Sequence, residues 1–165
     1  MAAFDLIEEQ VLGSNATNVT FSSIPATYAH LHFEMTVEAN SSDEPVYVQF
    51  NGDATSNYTW FRYYSYNGTS SQGIQFDAHP SGEISIGDAI AQSTVGSIDL
   101  WIPNYADTGR WKSVVGKVMN KKWWSQSWGA WKSTAAINSI KIYTPVASNL
   151  KSGGQFKLWG LKDSN

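Results

Sequence analysis

Three histidines occur in the 165 residues, and two of them, His30 and His32, stand two apart in a run that continues to Glu34. On a strand that spacing puts all three side chains on one face. The two imidazoles can ligate one metal ion, with a third ligand from His79 or Glu83 completing the site. A bare His-x-His is a weak signal, however, and the expectation is a solvated strand face with no metal. Five acidic residues, Glu34, Glu38, Asp77, Glu83 and Asp99, could supply the carboxylate pair of a glycoside hydrolase. Such a pair must sit roughly 5–10 Å apart across a sugar groove, and spacing along the chain does not set that distance. No Gly-x-Ser-x-Gly elbow is present, and there is no cysteine to act as nucleophile, thiolate ligand or disulfide partner. No catalytic residue and no cofactor is therefore assigned, and a non-enzymatic protein is expected.

The aromatic residues are the more informative chemistry. Eight tryptophans and eight tyrosines bring aromatics to 14% of the chain, whereas charged residues make up only 15%. Globular proteins average about 25% charged, and loss of charge with gain of aromatics is the composition of a covered contact surface. Trp123, Trp124, Trp128 and Trp131 cluster in one short stretch and are the expected interface residues. Lys112, Lys117, Lys121, Lys122 and Lys132 interleave with that stretch, an arrangement on which nucleic-acid bases could stack. Tryptophans in a core or contact with lysines at the rim is the favoured alternative. A second aromatic run, Tyr58, Trp60, Tyr63, Tyr64 and Tyr66, lies between the turns Asn51-Gly52-Asp53 and Asn67-Gly68. Flat apolar rings beside amides and carboxylates suit a sugar, so Tyr64 and Tyr66 are candidate carbohydrate-binding residues, against the reading of core plus subunit contact.

The elements that must position these groups read as strands. From Tyr28 to Glu38, Leu31, Phe33, Met35 and Val37 share one face, while His30, His32, Glu34 and Thr36 share the other. Further strand signals are an opening run from Phe4, then Val46–Phe50, Asn57–Tyr66, Gly73–Asp77, Glu83–Ile90 and Ser97–Ile102. Lys112–Met119, Trp128–Lys132, Ile137–Tyr143 and Gln155–Leu161 complete the series, with Ala130–Ile140 a weak helical alternative. Eight to ten short strands without alternating helices predict an all-β, two-sheet antiparallel sandwich of jelly-roll type. Residues 1–165 form a single domain on this reading, with no linker or repeat.

The net charge of −3 offers no positive field for nucleic acid. No run of about 18 apolar residues predicts a membrane span, and the start of the chain lacks the basic and apolar segments of a secretory signal. Asn-x-Ser/Thr triplets begin at Asn15, Asn18, Asn40, Asn57 and Asn67, and without such a signal they read as polar surface. Synthesis in the cytoplasm is the expectation.

Six segments carry a resemblance to a family. They are Phe-Ser-Ser-Ile-Pro-Ala-Thr-Tyr at 21–28, Phe-Asn-Gly-Asp at 50–53 and Asn-Tyr-Thr-Trp at 57–60. Ile-Pro-Asn-Tyr at 102–105, Trp-Lys-Ser-Thr-Ala-Ala-Ile-Asn-Ser-Ile at 131–140 and Phe-Lys-Leu-Trp-Gly-Leu at 156–161 follow. Together they span nearly the whole chain, which resembles small virion structural proteins of tailed bacteriophages; the tryptophan-rich stretch 123–131 departs from that pattern. The resemblance implies a jelly-roll capsid decoration (cement) protein or a tail or fibre component that binds host carbohydrate. It also implies localisation in the virion and partners among copies of the chain itself (often a trimer) and the major capsid or tail proteins. It carries no catalytic set. No heptad repeat for a fibre stalk is present, so a capsid-surface knob is the leading expectation.

Overall fold

A computed structural model describes residues 4–40, 44–66, 74–77, 82–90, 94–144 and 149–162, with backbone alone for 74–77 and 88–90. The described residues hold twelve strands and no helix: β1 (Phe4–Val11), β2 (Asn18–Phe21), β3 (His30–Val37), β4 (Glu44–Phe50), β5 (Tyr58–Tyr66) and β6 (Ile74–Asp77), then β7 (Ile84–Ile90), β8 (Gly96–Pro103), β9 (Lys112–Met119), β10 (Trp123–Trp131), β11 (Ile140–Tyr143) and β12 (Gln155–Leu161). They pair antiparallel into an eight-stranded sheet, ordered β1-β12-β3-β8-β9-β10-β5-β6, and a four-stranded sheet, β2-β11-β4-β7. The chain repeatedly crosses between the sheets, as in a jelly roll, and the two-sheet sandwich is the expected fold.

The alternation read from β3 is the alternation the core uses. Leu31, Phe33, Met35 and Val37 are buried, as are Ile98, Leu100 and Ile102 of the adjacent β8 and Phe156 and Leu158 of β12. Against them the small sheet lays Val19, Phe21, Val46, Val48, Phe50, Ile140 and Ile142. Three local readings change. The four-residue β2 is too short to declare itself by periodicity. The strand read as Trp128–Lys132 begins five residues earlier, at Trp123. The stretch after Trp131 is neither helix nor strand until Ile140.

That irregular stretch has a physical anchor. Asn51 and Gly52 adopt left-handed conformations (φ +51° and +68°), the pair of positive φ values that an Asn-Gly turn accommodates. The turn presents the Asn51 side chain to the 132–139 loop: its Oδ1 accepts from Asn138 N (2.9 Å) and Ser139 N (3.1 Å), and its Nδ2 donates to Ala136 O (2.8 Å). Ile24 N donates to Asn138 O, and Ile137 N to Tyr105 O. The Tyr105 hydroxyl donates to Pro25 O and accepts from Tyr28 N. Four of the six family-like segments therefore meet at one end of the sandwich, where they satisfy backbone groups that irregular chain leaves open.

Candidate functional site

The large sheet has two faces, and β10 shows why they differ. Its central inward positions, Ser125, Ser127 and Gly129, are all small, and β7 packs over this strand. A Cβ on Gly129 would meet Ile84 Cγ2 at 2.7 Å, and one on Gly116 of β9 would meet Ile86 O at 2.8 Å. The sheets thus approach too closely for bulk on the inside. The alternation sends Trp124 and Trp128 outward, where they remain 39% and 40% exposed.

On this outer face the register aligns residues into rows across the sheet. Leu6, Trp159, His32, Trp101, Val115, Trp128 and Phe61 are successive cross-strand partners from β1 to β5. At the usual interstrand spacing this largely aromatic row is about 30 Å long. Two residues along each strand runs a polar row: Lys157, Glu34, Asp99, Lys117, Gln126 and Tyr63.

The two ends of the face are built differently. Toward β5, Trp128 packs on Phe61 (5.3 Å between ring centroids) and Trp124 on Tyr63 (5.7 Å, edge to face). Met119, 59% exposed, lies across from Trp124. Toward β1, rings are tied to carboxylates. His32 stacks on Trp101 at 4.3 Å and 20°, and Phe4 stands edge-on to both. His32 Nε2 lies 3.0 Å from Asp99 Oδ2; an ionised carboxylate only accepts, so the imidazole donates. Trp159 Nε1 donates to Glu34 Oε2 at 3.0 Å. Phe4, His32, Glu34 and Trp159 line an open cleft of about 260 Å³.

The sequence candidates distribute as follows. Trp124 and Trp128 are on the outer face. Trp123 points to the inner side, where it is half-buried against Tyr64 (5.8 Å) and Tyr66 (4.5 Å). Trp131 is a correction: it is core, 3% exposed, packed against Phe50 and Tyr58, with Nε1 donating to Asp53 Oδ2 at 2.7 Å. It closes β10 at a position in phase with Ser127 and Gly129. The aromatic run of β5 is not one flat platform either. Tyr58 and Trp60 are buried, Tyr63 faces out, and Tyr64 and Tyr66 are half-buried on the inner side.

Asp53 accepts from Thr55, Asn57 and Trp131; burial pushes its pKa up, but these bonds outweigh it and hold the carboxyl well below its ordinary value. Burial raises the pKa of the Tyr58 hydroxyl, which bonds to Phe50 and Asp53 backbone groups.

Of the metal candidates, His30 accepts from Asn104 N through Nδ1 and His32 is committed to Asp99; no group of three potential ligands forms among the described residues. Of the carboxylates, Glu34 and Asp99 are direct cross-strand neighbours. Glu38 pairs with Lys151 (2.7 Å), and Glu83 is buried in the sandwich. His79, Asn67 and Gly68 lie outside the described residues, and Asp77 is described by backbone alone. The five lysines disperse: Lys112 is buried, with Nζ on the carbonyls of Arg110 and Thr134, Lys117 is on the outer face, Lys121 and Lys122 are in the β9–β10 turn, and Lys132 follows β10 with its N donating to Asn57 O. Phe4, Trp101 and Trp159 are residues that sequence reasoning passed over. Their signal was present, since Trp101 and Trp159 fall out of phase with the apolar positions of their strands.

No protein-family model and no curated protein matches the chain. Solved structures similar in fold include the galectin LEC-6 of Caenorhabditis elegans, at 9% identity and a TM-score of 0.39, covering 94% of this chain and 96% of that one. The PL-14 alginate lyase from Aplysia kurodai is similar at 11% identity and a TM-score of 0.38, covering 99% of this chain and 83% of that one. Alginate lyase Aly36B is similar at 9% identity and a TM-score of 0.39, covering 94% and 79%.

Proposed function

We propose that the chain is a non-enzymatic structural protein of a tailed-bacteriophage virion, a capsid decoration protein that docks on the shell through the β10–β5 half of its large sheet. The observation that carries this reading is the largely apolar patch of Phe61, Tyr63, Met119, Trp124 and Trp128 on the outer face, with Lys117 the charged side chain beside it. Large aromatics are what the buried centre of a protein contact selects, and a few such side chains dominate its energy. The virion setting rests on the family-like segments, four of which stitch one end of the fold together. Repetition on a shell turns modest single contacts into firm attachment through high effective concentration. Other copies of the chain and the major capsid protein are the partners on this reading. A tail or fibre component is the second reading, favoured by the differently built half of the face near β1.

Quantitative mass spectrometry of purified particles tests the assignment. Copy numbers on the order of hundreds are expected for a lattice-bound shell protein, whereas a handful moves the chain to the tail. Absence from the particle overturns the proposal. So does a Trp124→Ala/Trp128→Ala protein that melts like the parent and still decorates particles at the parent's concentration dependence.

A further inference from the structure

The β1 end of the outer face carries an inference beyond docking. We infer that the cleft of Phe4, His32, Glu34 and Trp159, with Trp101 and Asp99 beside it, binds a neutral carbohydrate chain laid across the strands. A pyranose ring has an apolar face of C–H bonds and an edge of hydroxyls, and the sheet offers an apolar row with a polar row running parallel to it. A protein contact has a different plan, an apolar centre enclosed by a polar rim. A linked sugar chain advances by roughly one interstrand spacing per ring, about 5 Å, so successive rings meet successive strands.

Charge selects within the class. The polar row pairs two lysines, Lys157 and Lys117, with two carboxylates, Glu34 and Asp99. Lys157 is also 3.6 Å from Glu9. With Glu9 counted, three carboxylates stand against two lysines, so there is no positive field to attract an acidic polysaccharide, and the groups donate and accept hydrogen bonds as hydroxyls require.

The site is also held ready. Asp99 fixes the imidazole that stacks on Trp101, and Glu34 fixes the indole of Trp159. Rings locked by bonds to acids lose little freedom when a ligand stacks on them. The cleft, at about 260 Å³, falls below the roughly 300–1,000 Å³ that encloses a drug-sized ligand, and it is open-sided. One ring seated there, with the chain continuing over Trp101, fits that size.

The test is titration of the whole protein with short linear neutral oligosaccharides (glucose-, galactose-, mannose- and N-acetylglucosamine-based), followed by tryptophan fluorescence and calorimetry. Alginate oligomers serve as the acidic counter-panel. Saturable binding to a neutral chain is expected, weakened at least about tenfold by Trp159→Ala, equivalent to about 1.4 kcal/mol. Trp111→Ala removes an exposed indole outside the cleft and is expected to change nothing. No binding across the neutral panel, preference for alginate, or equal binding by the Trp159→Ala protein overturns the inference. Release of new reducing ends overturns it as well, because Glu34 and Asp99 would then be working as a hydrolytic pair. Particle attachment, read separately on the Trp124 and Trp128 variants, decides the docking proposal whatever this experiment returns.

Discussion

The inner and outer faces of the large sheet use the same aromatic residues for opposite ends. Trp131 and Trp128 lie three positions apart on β10 and face opposite sides. Trp131 is enclosed by Phe50 and Tyr58 and donates to Asp53; Trp128 rests on Phe61 with two-fifths of its surface in water. An indole therefore tells little about its role until its phase against β7 is known. Inside, tryptophan contributes stability; outside, it leaves apolar surface in water, which the proposed function assigns to a partner.

The comparison is most easily broken at Trp131. Trp131→Ala is expected to cost about 3–5 kcal/mol, since it leaves a large void and removes one of the hydrogen bonds that Asp53 accepts. Urea unfolding measures it, and a loss below about 1 kcal/mol would erase the distinction between the faces. Asp53→Asn comes next, at about 1–2 kcal/mol near neutral pH for the lost charge-assisted bonds. Because the folded-state pKa of Asp53 is depressed, its contribution is complete above the ordinary carboxylate value of about 4 and drains away as pH falls further. The stability curves of parent and variant should converge as acid is added below that value, with the parent the steeper. Parallel curves through that window would show that Asp53 does not carry the effect. Smallest is Trp128→Ala, expected to shift stability by about 0.5–1 kcal/mol through its contact with Phe61. A drop of several kcal/mol there would make the outer row structural.

Legibility followed the length of the periodic signal. The alternation of β3 was clear over eight residues, and every inward position it named is buried. β10 was harder, because Trp-Ser-Gln-Ser-Trp-Gly at 124–129 alternates large outward and small inward, the inverse of a usual strand, before Trp131 turns inward. Read by composition, its four tryptophans look like one surface; by phase they divide between two. The cleft was less legible still, since Phe4, His32, Trp101 and Trp159 come from four strands that the sheet brings side by side.

Period-two hydrophobicity and the absence of helical stretches determined the all-β sandwich, because a strand's two faces are written in its own residues. The Asn-Gly turn at 51–52 was equally local, being a matter of which residues tolerate positive φ. Strand order, register and the distance between the sheets were decided only by the tertiary structure. Those depend on pairing between segments as far apart as β1 and β12, and on how closely β7 approaches Gly116 and Gly129. The rows on the outer face exist because of that pairing, for no single strand contains more than one residue of either row.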